Sequence, residues 1–132
     1  MSQKYKNYIQ SLKPSKLSSV DYHEDMSGIE RFVSEDFPLH VAVHKIKERA
    51  DVPQKYVELH QHDVLEINII LGSDDKPLKY NIQLGDENYT VQSPAIIRIP
   101  ANLSHSANLI IGSGTFISIV MTKDYHAFSE DK

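Results

Sequence analysis

From Ile29 onward the chain is a series of short apolar runs rich in valine, isoleucine, tyrosine and threonine, separated by turn-forming residues at Pro38, Pro53, Gly72, Gly85, Pro94, Pro100 and Gly112. The pattern predicts strands over 29–34, 39–48, 55–61, 65–71, 77–84, 88–92, 95–99, 104–111 and 115–122. In the run from Leu78 to Leu84 the apolar set Leu78, Tyr80, Ile82 and Leu84 alternates with Lys79, Asn81 and Gln83, as a half-buried strand requires. Gly85-Asp86 then turns the chain. No long helical pattern separates the strands, so the expected fold class is all-β, a sandwich or barrel. Ahead of it, Tyr5, Tyr8, Ile9 and Leu12 fall at the spacing of a short amphipathic helix that Pro14 ends. Residues 1–28 are therefore read as an N-terminal arm with a short helix, packing on the domain or on a neighbouring subunit, and 29–132 as the β domain.

Composition narrows the chemistry. A chain of 132 residues is most simply one domain burying roughly 70% of its unfolded surface. A formal charge of −4 without a basic stripe argues against nucleic acid as a partner. There is no cysteine, so any metal must be held by nitrogen and oxygen. The first residues lack an apolar signal region and no apolar run approaches the roughly 20 residues of a membrane span, which leads us to expect a cytoplasmic protein with no membrane partner.

Seven histidines is a generous number for this length. His60 and His62 share a face if the backbone is extended, and a turn at Asp63 would bring Glu66 beside them, placing three potential metal ligands within seven positions. His105 follows the turn at Pro100 and opens a new apolar strand, where a ligand from a second hairpin would arrive. His40 and His44 can be read two ways. If Lys45 and Lys47 face water, both histidines point inward with Ala42 and Ile46; if Val41 and Val43 mark the core, both are exposed. His23 and His126 lie outside the strands and read as solvated.

His60-x-His62-x3-Glu66-x5-Gly72 resembles the first motif of the cupin superfamily, and Pro100-x-Asn102-x2-His105 resembles the second, with Gly85 to Tyr89 similar to the glycine-acidic turn between them. The likeness covers roughly residues 40–122 and implies a jelly-roll β-barrel, often paired into a homodimer, holding one divalent metal ion on His60, His62, Glu66 and His105. The chain departs from the pattern where Gln54 and Asn102 replace glycines and where the closing asparagine is displaced to Asn108. These departures touch turn geometry rather than ligation, and Asn102 can adopt a left-handed turn conformation. Three neutral imidazoles and one carboxylate suit iron(II), manganese, nickel, cobalt or zinc, with iron(II) favoured here, and leave positions for substrate or water.

Strand parity nominates residues around the metal. Tyr56 and Glu58 share the parity of His60 and His62, so Tyr56 is the candidate proton donor and Glu58 the candidate acceptor or base. Asn68, in phase with Glu66, and Tyr80, in phase with Ile82, are candidate substrate contacts, as are His44 and Arg98, the latter as an anchor for a carboxylate or phosphate. The alternative is a structural role for Tyr56 and Glu58 and an outward-facing charge or an inter-subunit ion pair for Arg98. Three functions follow: an iron(II)-dependent dioxygenase or related oxidoreductase acting on a small organic molecule; a non-redox isomerase, cyclase or lyase using Tyr56 or Glu58 as acid or base; and a small-ligand-binding module without turnover. A purely apolar cavity favours the first and an extra inward base the second. The family habit favours the dioxygenase.

Overall fold

The computed structural model describes residues 4–47, 55–73, 76–125 and 127–129. Nine strands appear there: β1 (Lys13–Pro14), β2 (Ile29–Val33), β3 (His40–Ile46), β4 (Glu66–Gly72), β5 (Lys79–Leu84), β6 (Glu87–Gln92), β7 (Ala95–Ile99), β8 (His105–Ile111) and β9 (Gly114–Val120). They form a six-stranded sheet in the order β1-β2-β3-β9-β4-β7 and a three-stranded sheet in the order β6-β5-β8, with every pairing antiparallel. Apolar side chains from the two sheets, among them Ile46, Ile70, Leu78, Tyr80, Ile82, Leu109 and Phe116, meet in one core. This is the arrangement of a jelly-roll barrel. Among the described residues no helix is long and apolar enough to cross a membrane.

The alternation read in 78–84 decides which face of β5 is buried. Tyr80 and Ile82 are sealed in the core while the alternating Lys79, Asn81 and Gln83 are half-buried. The same logic orders β4, whose Glu66, Asn68 and Ile70 all point inward. The turn from β8 into β9 depends on glycine. A Cβ at Gly112, where φ is +110°, would fall on the Pro77 carbonyl oxygen, and one at Gly114 on that of Leu71.

Two expectations are corrected. Residues 5–12 form no amphipathic helix; the only turn is the 3-10 segment Lys6–Tyr8, and Tyr5, Tyr8, Ile9 and Leu12 are exposed. These side chains stay largely in solvent instead of packing as one face, and a helix of two turns is unstable without such packing. The chain instead runs extended into β1, pairing Lys13 with Val33 and Pro14 with Phe32 at a sheet edge, where proline's missing N–H is tolerated. Beyond β1 the arm enters the barrel's own packing, with Leu17 and Met26 buried in the core.

The expected strand at 55–61 is irregular; among the described residues its backbone pairs with other segments through isolated bridges of Val57 with His23, His60 with His105 and Gln61 with Phe128. Three further backbone groups are held by one side chain. Asn108 Oδ1 accepts from the Tyr56 and Val57 N–H groups at 2.8 and 2.9 Å, and its Nδ2 donates to the Val57 carbonyl at 3.0 Å. Three different partners along seven residues break the alternation on which the parity reading of this segment relied.

Candidate metal centre

The irregular segment delivers His60 and His62, the first residue of β4 is Glu66 and the first residue of β8 is His105, so the two sheets contribute jointly. All four side chains are buried. The backbones of His60 and His105 lock together reciprocally, each N–H on the other's carbonyl at 3.0 and 2.8 Å. Asn102, left-handed at φ 66°, donates its N–H to the His62 carbonyl at 2.6 Å, tying the second turn to the first. The ligand atoms of His60, His62 and His105 lie within 4.8 Å of one another, a group that could hold a metal ion.

Hydrogen bonding selects the nitrogen each ring presents. His60 Nδ1 donates to the Glu58 carbonyl at 2.7 Å and His105 Nδ1 to the Leu103 carbonyl at 2.9 Å, which leaves the Nε2 lone pair of each free of the ring proton. Glu66 is oriented in the same way. Its Oε2 accepts from Asn68 Nδ2 at 2.7 Å and Ser118 Oγ at 3.0 Å, while Oε1 lies 2.9 Å from His62 Nε2 and 3.1 Å from His105 Nε2.

Among the described residues His105 Nε2 is buried without a hydrogen-bond partner. A lone pair facing a carboxylate oxygen at 3.1 Å repels it unless a proton or a cation lies between them. Burial pushes the Glu66 carboxyl up, but His105 and His62 with the Asn68 amide outweigh it and hold the group well below the usual carboxylate range. Burial pushes His60 down to about 3, so its imidazole is neutral near pH 7. Neutral imidazole nitrogens and an ionised carboxylate, converging and already oriented, fit a divalent transition metal.

Over this cluster lies a cavity of about 50 Å³, room for a few water-sized groups. Tyr56, Asn68, Tyr80 and His44 of the expected contacts line it. His44 and His40 both follow the inward parity; burial lowers His44 to about 3 and His40 to about 4. The Tyr56 hydroxyl accepts from the Leu109 N–H at 3.2 Å. Desolvation raises the Tyr80 phenol, with Tyr56 beside it.

Two expected site residues are elsewhere. Glu58 is exposed and only its carbonyl serves the site, because the irregular backbone turns its side chain away. Arg98 is exposed on β7 in phase with Ile96, while Ile97 and Ile99 take the inner positions.

The solvated reading of His23 is also corrected. Its ring lies 5.3 Å from that of His60, and burial lowers its pKa. Tyr22 stacks on His60 at 5.5 Å and 5°, held by its carbonyl on the Glu58 N–H. Tyr125 meets the His62 ring edge-on at 5.0 Å. Arg31 lines the cavity as well. Its phase with Ile29 and Val33 was the available signal for Arg31; the arm and the C-terminal segment carried none. His126 lies outside the described residues.

The chain superposes on an RmlC-like cupin from Shewanella frigidimarina NCIMB 400 with a TM-score of 0.52, covering 90% of this chain and 96% of that one at 10% identity. The fold is a cupin fold. KdgF from a Halomonas species matches at TM-score 0.50 and 16% identity, covering 89% of this chain and 96% of its own. A mutant of the Bacillus subtilis oxalate decarboxylase matches at TM-score 0.55 and 16% identity over 92% of this chain but only 33% of its own. No family model matches the sequence. No curated protein matches it either. Within the cupin barrel, the four residues that carried the resemblance in sequence are the four that converge here.

Proposed function

We propose that this cupin is a metal-dependent enzyme acting on a small polar organic molecule by non-redox chemistry: isomerisation, cyclisation or lyase-type bond cleavage. His60, His62, Glu66 and His105 would hold the ion, which when bound supplies Lewis-acid polarisation of a substrate oxygen. The observation that carries this reading is the polar lining of the cavity beyond the cluster itself, to which His23, His40, His44, Tyr56 and Tyr80 all contribute. Tyr56 is the residue assigned to proton transfer, its hydroxyl oriented by the Leu109 N–H. His44 and His40, kept neutral by burial, act first as hydrogen-bonding partners that orient the substrate. Glu66 stays ionised, and Asn68 and Ser118 fix which of its oxygens faces the histidines.

The iron(II) dioxygenase is the second reading, supported by the nitrogen-rich ligand set and by the enclosure of so small a cavity, lined also by Val57, Ala107 and Phe116. The two separate by metal analysis of protein purified without chelator, followed by oxygen-electrode measurements across a substrate panel. Stoichiometric zinc or manganese with turnover but no oxygen uptake supports the non-redox reading; substrate-dependent oxygen uptake with bound iron overturns it. The proposal extends to a homodimer through β7, the edge strand on which Ile96 is 70% exposed. Light scattering that gives a monomer mass at micromolar concentration refutes that part alone.

A further inference from the structure

Arg31 sits on β2 opposite His44 of β3 and is 7% exposed. Its guanidinium makes a hydrogen bond from Nη1 to Ser15 Oγ at 2.8 Å. Among the described residues no carboxylate stands within ion-pair distance of it; the ion-pair contacts of Glu66 are with His62 and His105. A buried guanidinium with five donors and one neutral partner is costly to keep unless something else engages it.

The spaces around it indicate what that is. The cavity of about 50 Å³ over the histidine cluster adjoins an outer groove of about 310 Å³, and Val20, Arg31, His40 and Tyr125 line both. Arg31 therefore stands where the groove meets the inner chamber. Asp21 is the carboxylate of the groove and lies on its exposed rim. In the inner chamber the fixed charges are Arg31 and Glu66, which cancel, and a divalent ion on the histidines would make the chamber net positive.

We propose that Arg31 determines specificity by receiving the charged end of a small organic carboxylate, holding it at the junction of groove and chamber with its other end toward His60, His62 and His105. A planar fork of N–H donors matches a carboxylate bidentately, which neither His40 nor Tyr125 can do. The chamber admits only a few non-hydrogen atoms beyond that point, so the ligand is short. This rests on the function proposed above only for what happens at the far end.

The test uses the full chain stripped of metal, titrated calorimetrically with malonate at constant ionic strength, with malonamide as the neutral control. Wild type binds malonate saturably and malonamide not at all. R31Q weakens malonate binding about tenfold or more, and R31K, which keeps the charge but loses the fork, falls between them. Circular dichroism checks the fold of both, and R31K carries the test if R31Q fails to fold. Equal malonate affinity in wild type and R31K, or no malonate binding by wild type, overturns the proposal. Metal content, measured separately, distinguishes the two readings. Arg31-dependent malonate binding by a protein that carries no metal as purified and takes none up when it is added back sinks only the metal-dependent function; metal uptake with Arg31-independent malonate binding sinks only this one.

Discussion

Asn108 is the residue on which the metal-bearing segment hangs, and replacing it tests whether a side chain can stand in for a strand partner. Asn108→Ala removes two hydrogen bonds from buried N–H groups, of Tyr56 and Val57, and one to the Val57 carbonyl, at 2.8, 2.9 and 3.0 Å. Three such bonds at about 1 kcal/mol each, plus the cost of leaving their partners unpaired, give about 3–6 kcal/mol. Asn108 also lines an open groove of about 330 Å³, from which water can replace part of what is lost. We therefore expect about 2–4 kcal/mol in urea denaturation of the metal-free protein. Metal affinity, measured by chelator competition, should fall about 10–100-fold because His60 and His62 lose their support. Asn108→Asp keeps an acceptor for both N–H groups but sets an oxygen against the Val57 carbonyl, costing about 1–3 kcal/mol. A loss below about 0.5 kcal/mol for the alanine variant, the level of an ordinary surface change, would refute the claim that this side chain holds the segment.

His62→Ala should abolish metal retention while leaving the β circular-dichroism signal intact; one tightly bound ion in the purified variant contradicts the ligand assignment. Tyr56→Phe should keep wild-type metal content and lower kcat once a substrate is in hand, and an unchanged kcat would make Tyr56 a packing residue. Burial lowers His44 to about 3 in the folded chain against about 6.5 unfolded. Between those values the unfolded state binds the extra proton, so this contribution to stability is complete above pH 6.5 and is lost as the pH falls toward 3. The slope is at most about 1.4 kcal/mol per pH unit. His44→Gln should flatten that part of the acid denaturation profile, and an unchanged profile would mean that His44 is not buried as a neutral imidazole.

What could be read in the sequence was whatever depends on near neighbours along the chain. Alternation in 78–84 placed Tyr80 and Ile82 inside, because successive side chains of a strand point to opposite faces whatever the strand packs against. Glycines, prolines and asparagines marked the turns, including Asn102, whose left-handed conformation was foreseen. Even a cluster drawn from two sheets could be anticipated, since the spacing of His60, His62, Glu66 and His105 carries the cupin resemblance. The same reasoning failed between residues 55 and 61, where it put Glu58 inside. A strand's parity holds only while one neighbour pairs with it continuously, and here His23, His105, Phe128 and the Asn108 side chain take turns.

The sequence by itself determined the all-β class, the positions of β2 to β9 and the four residues that converge, each a consequence of local periodicity or motif spacing. Only the tertiary structure decided what surrounds them. Tyr22 and His23 reach His60 because the arm runs extended along residues 56–58 instead of coiling. Arg31 meets His44 because β2 pairs with β3 in that register, and Tyr125 returns from beyond β9 to close on His62. Contacts between residues far apart in the chain are set by packing and register, which a single strand's pattern does not encode.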